Sequence, residues 1–368
     1  VASSQRITSG TAGFGGSLVP GGNFGFRIAG IGDLDADGVP DMAVSAHRSD
    51  RVHDAAGEVW ILFLTPEGSV KGWQVITEGF GSLTANLRAG DQFGVDVGGI
   101  GDLDGDGVPD LAVGMWRRDG VAEDDGGVLV VFMRPDGQVK TYQEISPVAG
   151  WAGSPVKASS GFGVSVDAVG DLNGDGVTDI AVGAIGVRDD RGKVWLLRLA
   201  SNGVVVDSSA ITPGRRGAPD LAAGARFGSS VAGLGDVDGN GNVELAVGAL
   251  GVDDFTGAAW VFELDASGAI VDAAPIAFAG TDADDLFGHT ISSLGDLDGD
   301  GAVDVAVGAP GDATNGEGTG SVYLVQFGAG APAGDAAGDD GADAGGDAPG
   351  DDDAAGDETE EPGGDAPV

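Results

Sequence analysis

The sequence predicts an all-β protein: a β-propeller of five four-stranded blades, closed by a strand from the N-terminus and followed by a disordered acidic tail. Three observations carry this expectation. The segment GDLDGDGVPDLAVGM (101–115) recurs, with variation, five times. Each copy sits between an upstream Phe-Gly pair and a downstream apolar run of strand character. The last copy ends one strand short, while the N-terminus carries a spare strand-like segment.

The copies are GDLDADGVPD (32–41), GDLDGDGVPD (101–110), GDLNGDGVTD (170–179), GDVDGNGNVE (235–244) and GDLDGDGAVD (295–304). Their first acids fall at 33, 102, 171, 236 and 296, so the spacings are 69, 69, 65 and 60. Repeats of this size with β character throughout belong to propeller blades or β-solenoids. The 71 glycines and the aromatic content of only 6% fit short strands joined by tight turns.

Each repeat divides into four strands. The first leaves the Phe-Gly pair (Phe24-Gly25, Phe93-Gly94, Phe162-Gly163, Phe227-Gly228, Phe287-Gly288), as in FGVDVGGI. The second is the buried-type run DMAVSA, DLAVGM, DIAVGA, ELAVGA or DVAVGA. The third is GEVWILFL, GGVLVVFM, GKVWLLRL, GAAWVFEL or GSVYLVQF. Hairpin signals follow in TPEGSV, RPDGQV, ASNGVV and DASGAI, each with glycine where a left-handed residue is wanted. The fourth is WQVIT, YQEIS, SSAIT or APIAF. The fifth repeat stops at its third strand, and the N-terminal SQRITSG places Ile7 in phase with Ile76, Ile145, Ile211 and Ile276. A spare strand at one end and a vacancy at the other is how a ring of blades closes without open edges. The expected domains are 1–328, with repeats near 24–77, 93–146, 162–212, 227–277 and 287–328 plus 5–9, and a tail at 329–368.

The acid loops answer to metal chemistry. Oxygen ligands at positions 1, 3 and 5, glycine at 6, a carbonyl at 7 and an acid at 9 describe a calcium loop. Four carboxylates within nine residues repel one another unless a cation neutralises them. An EF-hand is excluded, because position 12 holds Val44, Val113, Val182, Val247 or Val307 in place of the bidentate glutamate, and a strand follows instead of a helix. Acidic Asx-turns alone would account for one copy far more readily than for five in phase.

These motifs resemble the FG-GAP repeat family, known from integrin α-subunit propellers; FG…GDLDGDG…DVAVGAP (287–310) displays the whole signature. The resemblance covers about residues 5–328 and implies calcium in the loop between the first two strands of each blade. Carried over, the expected ligands of the first loop are Asp33, Asp35, Asp37, the Val39 carbonyl and Asp41. The second offers Asp102, Asp104, Asp106, the Val108 carbonyl and Asp110, and the third Asp171, Asn173, Asp175, the Val177 carbonyl and Asp179. The fourth offers Asp236, Asp238, Asn240, the Asn242 carbonyl and Glu244, and the fifth Asp296, Asp298, Asp300, the Ala302 carbonyl and Asp304. Up to five structural Ca²⁺ ions follow, with loops three and four, which carry asparagine, the weakest. The chain departs from the family in having one literal Gly-Ala-Pro (308–310) and fewer repeats than the seven-bladed integrin ring. Modules of this kind bind calcium at dissociation constants of about 10⁻⁴–10⁻³ M, which points to an extracellular or cell-surface setting. At tenfold excess each ion adds roughly 1.4 kcal/mol, so five add about 7.

The net charge of −41, from 59 acids and 18 bases, excludes nucleic acid as a partner. No apolar run reaches the roughly 18 residues of a membrane helix, and the absence of cysteine removes disulfides and thiolate metal sites. Bases concentrate in the loops between strands two and three and between blades, so Arg48, Arg51, Arg117, Arg118, Arg188 and Arg191, with Trp116 and Trp151, form a candidate face for a protein or glycan ligand. The rival expectation is that these arginines pair with adjacent acids. His47 and His53 share one loop and read as surface residues, and His289 as packed near a blade junction. No Gly-x-Ser-x-Gly, Walker or HExxH motif occurs. The sequence therefore reads as an adhesion or recognition module and not an enzyme. The alternative is a propeller-scaffold hydrolase or lyase acting on extracellular polysaccharide or phosphoester.

Overall fold

The computed structural model describes residues 4–328 apart from 121–122, 147–148, 152–158, 277–281, 315 and 317–318. The expected tail lies outside the described residues. What is described is a five-bladed β-propeller built from nineteen strands, with no helix among the described residues.

Blade 1 comprises β1 (Ile28–Gly32), β2 (Asp41–Ala46), β3 (Glu58–Leu64) and β4 (Val70–Ile76). Blade 2 comprises β5 (Val97–Gly101), β6 (Asp110–Met115), β7 (Gly127–Met133) and β8 (Val139–Ile145). Blade 3 comprises β9 (Phe162–Gly170), β10 (Asp179–Ala184), β11 (Val194–Leu199) and β12 (Val205–Ile211). Blade 4 comprises β13 (Phe227–Gly235), β14 (Val243–Ala249), β15 (Ala258–Leu264) and β16 (Ile270–Ile276). Blade 5 comprises β17 (Thr290–Gly295), β18 (Asp304–Ala309) and β19 (Ser321–Val325). Each blade is an antiparallel meander in sequence order.

The second and third strands are continuous apolar runs because both of their faces are covered. Alternate residues of one strand reach opposite neighbours, as the two-residue period of a strand requires. Val59 and Ile61 of β3 pack forward against Leu111, Val113 and Leu129 of blade 2. Val128 and Val130 of β7 continue to Ile180 and Val182 of blade 3. Val194 and Leu196 of β11 reach Leu245 and Val247, and Ala259 and Val261 of β15 reach Val305 and Val307.

The Phe-Gly pairs act between blades. Phe93, Phe162, Phe227 and Phe287 are buried, and each forms a parallel bridge to the glycine that opens the third strand of the preceding blade: Gly57, Gly126, Gly192 and Gly257. A Cβ on Gly57 would stand 2.1 Å from the Phe93 carbonyl oxygen, and on Gly126 2.0 Å from that of Phe162. Only glycine permits this approach, and its φ near +90° suits glycine as well. Each buried phenylalanine contributes about 1.5–3 kcal/mol.

The N-terminus departs from expectation. Residues 5–9 form no strand, and the fifth blade has three strands among the described residues. The cause is apolar packing on blade 1. Phe14 lies against Phe24, Trp60 and Trp73, with ring centroids 5.6, 5.3 and 5.7 Å apart, and Ile7 and Leu18 join that cluster. Val70 N–H donates to Ala12 O at 2.8 Å, just as Val139 N–H donates to Gly81 O at 2.8 Å in the connector between blades 1 and 2. The segment thus takes the place of an interblade connector, which accounts for the phase of Ile7. Ile28 of β1 is 63% exposed, whereas Val97, Val166, Val231 and Ile291 at the same position are buried.

The inner strands line a central channel of about 560 Å³. Polar side chains there link successive blades. Arg27 Nε pairs with Asp96 at 3.3 Å, and Asp96 accepts Val166 N–H at 2.9 Å. Ser165 donates to Gly228 O at 2.8 Å, Asp167 accepts Gly233 N–H at 3.1 Å, and Ser230 accepts Ile291 N–H at 2.8 Å. Burial pushes the Asp167 carboxyl up to about 7.

Candidate metal centres

Each acid loop joins the first and second strands of its blade. A bulge at the end of the first strand pairs Gly32 with Asp41, Gly101 with Asp110, Gly170 with Asp179, Gly235 with Glu244 and Gly295 with Asp304. The position-1 acid then closes the loop by accepting two backbone N–H groups. Asp102 accepts those of Asp106 and Gly107 at 3.0 and 2.7 Å; Asp33 does the same with Asp37 and Gly38, also at 3.0 and 2.7 Å. Asp171, Asp236 and Asp296 repeat the pattern. The position-5 side chain accepts the N–H of position 7, as from Val39, Val108, Val177, Asn242 and Ala302.

Three loops gather carboxylates tightly enough for one cation. Ligand atoms of Asp33, Asp35 and Asp37 lie within 4.8 Å of one another, as do those of Asp102, Asp104 and Asp110, and of Asp296, Asp298 and Asp300. In the second loop Asp104 Oδ1 is buried without a hydrogen-bond partner. An orphaned anionic oxygen on a residue clustered with two further carboxylates fits a hard, oxygen-seeking divalent ion. In the third loop Asn173 donates to Asp175 at 2.9 Å, and in the fourth Asn240 donates to Asp238 and Glu263 at 2.8 and 2.9 Å. Amide donors there satisfy oxygens that a metal would otherwise take.

The position-9 acid has a different role from its neighbours. Asp110 is buried, and its two oxygens accept Leu103 N–H at 3.0 Å and Met133 N–H at 2.9 Å, tying the loop to β7. Asp41 and Asp179 do the same with Leu34 and Leu64 and with Leu172 and Leu199; Asp304 does so with Leu297 and Phe327. The longer Glu244 accepts Val237 N–H at 2.7 Å. Burial raises the carboxyls of Asp41, Asp110, Asp179 and Glu244, those of Asp110 and Asp179 to about 6 and that of Glu244 to about 7.

Two lysines that sequence reading overlooked stand at the first two loops. Lys71 on β4 contacts Asp35, at 2.8 Å, and Asp37. Lys140 on β8 contacts Asp104 at 2.6 Å and Asp106. Hydrogen bonds from these ammonium groups hold Asp37 and Asp106 below the usual carboxylate range. The signal was available: Lys71 and Lys140 occupy the same place in the fourth strand, where β12 and β16 have Val206 and Val271.

The proposed ligand face divides. Arg48, Arg117 and Arg188 are exposed, Arg191 and Trp116 half-buried. Arg117 lies over Trp116 and pairs with Asp124 at 3.3 Å. Three other expected members are structural. Arg118 is 9% exposed and bonds Asp91 at 2.7 Å, Asn86 O at 3.0 Å and Glu144 at 2.9 and 3.1 Å. Arg51 pairs with buried Glu58 and lies over Trp60 and Phe80. Trp151 is buried against Trp195 and Phe162, with centroids 5.1 and 5.9 Å away. His47 is buried too, against Phe26, and desolvation lowers its pKa to about 4; His53 is exposed, with its Nε2 3.4 Å from Glu78.

Five antiparallel blades whose Phe-Gly pairs lock neighbours, each with an acid loop between its first two strands, define the FG-GAP class of propeller. The family model of the FG-GAP repeat matches residues 24–62, 162–197 and 287–325. The chain thus carries FG-GAP repeats and is integrin alpha-like. It is 37% identical to human integrin alpha-7 over 188 residues, covering 51% of this chain and 13% of that one. It is 34% identical to Cricetulus griseus integrin alpha-3 over 199 residues, 54% and 17% of the two chains. Against Xenopus laevis integrin alpha-5 it is 30% identical over 241 residues, 62% and 20%. The chain spans at most a fifth of the length of these relatives.

Proposed function

We propose that the protein is an extracellular, calcium-stabilised recognition module that uses exposed Arg side chains of its connecting loops, beside the half-buried Trp116, to bind a protein or glycan. The integrin-like FG-GAP propeller supports an adhesion or recognition role. The observation that carries the calcium reading is the second loop, with three carboxylates in reach of one ion and one buried oxygen left over. Asp33, Asp35 and Asp37 would hold a second ion and Asp296, Asp298 and Asp300 a third, with the 7-position carbonyls completing each shell. Bound there, Ca²⁺ would neutralise the loops and stiffen one end of every blade it occupies. Its chemistry is structural, and the protein is not an enzyme. Arg48, Arg117, Trp116 and Arg188 remain as accessible anchors.

The test is a binding screen of the calcium-loaded protein against glycans and extracellular proteins. Saturable binding that weakens in the Arg48→Ala, Arg117→Ala, Arg188→Ala triple variant supports the reading. Binding indifferent to that variant, or turnover of a polysaccharide or phosphoester, overturns it.

A further inference from the structure

We infer that the groove between blades 3 and 4 is an oxyanion-binding site, suited to a sulfate, phosphate or carboxylate group such as that of an acidic sugar. It lies outside the acid loops and needs no metal.

Comparison of the repeats locates it. The penultimate residue of the third strand is Phe63 in blade 1 and Phe132 in blade 2, but Arg198 in blade 3. On the same face, diagonal to it across the fourth strand and opposite Ile61, Val130 and Leu196, stand Gln74 and Gln143 in blades 1 and 2, and the shorter Ser209 in blade 3. The glutamines spend their amides on their own backbone, Gln74 on Val75 O at 3.1 Å and Gln143 on Glu144 O at 2.7 Å. In blade 1 the hairpin glycine of the following blade, Gly137, packs directly over the Phe63 ring and Gln74. In blade 3 the equivalent Gly268 covers Arg198 and Ser209 instead: a Cβ there would stand 2.4 Å from Ser209 Oγ and 3.0 Å from Arg198 Nη2.

The exchange leaves unused hydrogen-bonding capacity. Arg198 is 3% exposed, and its Nη1 pairs with Asp207 at 3.1 Å. Its Nη2 and Ser209 Oγ are buried with no hydrogen-bond partner. Both abut Gly268, which with Ser209 lines a cavity of about 630 Å³, within the range of small-ligand pockets. Arg215 and Arg216 line the same cavity from the connector after β12, and Ser208, Thr212 and Ser267 add hydroxyls. The nearby acid Asp265 is already engaged by Ser267 and by Ala269 N–H. A pocket with two arginines and several hydroxyls on its wall, and a buried guanidinium N–H beneath its Gly268, stands out on a chain of net charge −41. Its complement is an oxyanion that accepts charge-assisted hydrogen bonds.

The test titrates the full chain, in calcium at low ionic strength, with sodium sulfate, inorganic phosphate and glucuronate, using glucose as the uncharged control, and follows binding by calorimetry and backbone NMR. Saturable binding of at least one anion, with shifts at Ser209 and Gly268 and none from glucose, supports the site. Sulfate or phosphate alone identifies a tetrahedral group, and glucuronate alone a carboxylate. Ser209→Gln, which restores the residue of blades 1 and 2, and the surface pair Arg215→Ala with Arg216→Ala should each weaken binding about tenfold. No saturable anion binding, or binding unchanged in both variants while they remain folded, overturns the inference. Both results are independent of the loop-face screen above.

Discussion

Replacing Asp110 by alanine tests the carboxylate that both ties its loop to β7 and belongs to the candidate ion cluster. Its two oxygens accept the N–H groups of Leu103 and Met133 at 3.0 and 2.9 Å in a buried setting. Alanine leaves both donors without partners. An unsatisfied buried group costs about 1–3 kcal/mol, so the loss is roughly 2–6 kcal/mol. Typical stabilities of 5–15 kcal/mol make that a large fraction. The companion variant Asp106→Ala removes an exposed carboxylate whose partners are Val108 N–H and Lys140. Denaturant titrations in excess chelator and in millimolar calcium should show Asp110→Ala destabilised in both. Asp106→Ala should match wild type within about 1 kcal/mol in chelator and lose part of the calcium-dependent gain. If Asp110→Ala were indistinguishable from wild type in chelator, the structural role assigned to that carboxylate would be wrong.

Calcium at tenfold excess over its dissociation constant should stabilise the wild type by roughly 1.4 kcal/mol per occupied loop; calorimetry with and without chelator checks the gain, and an unchanged melting temperature would contradict it. Asp167, raised from 3.8 to about 7 by burial in the channel, is protonated more readily folded than unfolded. Its unfavourable contribution therefore grows as pH climbs from about 4 to 7 and reaches roughly 4 kcal/mol. Asp167→Asn should flatten that slope in melting curves taken between pH 4 and 8, and a parallel slope would refute the assignment. Arg118→Ala strands Asp91 and Glu144 and should cost about 3–5 kcal/mol by denaturation, while ligand affinity of the folded fraction stays at the wild-type value.

The blades were legible because one pattern repeats in phase, so the loop at 101–110 predicts the strand at 110–115 as readily as the others predict theirs. The acid loops were legible for the same reason. The added structural role of their ninth positions was not legible, since a string of acids cannot show that Asp110 accepts the N–H of Met133, distant in sequence. Lys71 and Lys140 escaped because they reach the loops from the far edge of the sheet, two strands away. Arg118 and Trp151 looked like surface residues because both lie in connecting segments; only the three-dimensional fold puts Asp91 and Glu144 beside one and Trp195 beside the other. The N-terminal segment carried the right phase, yet Phe14 packs it against the aromatic cluster of blade 1, a contact that the repeat pattern does not show.

The bridge from Phe93 to Gly57, repeated at Gly126, Gly192 and Gly257, involves only the two sheets it joins. The joint itself is therefore the same whichever pair of successive blades it connects. A whole repeat of 60–69 residues can accordingly be duplicated or deleted as a unit that carries its own joint to the next blade. Natural selection can thus vary the size of the molecule in steps of one blade, leaving tuning of the recognition loops to point substitution.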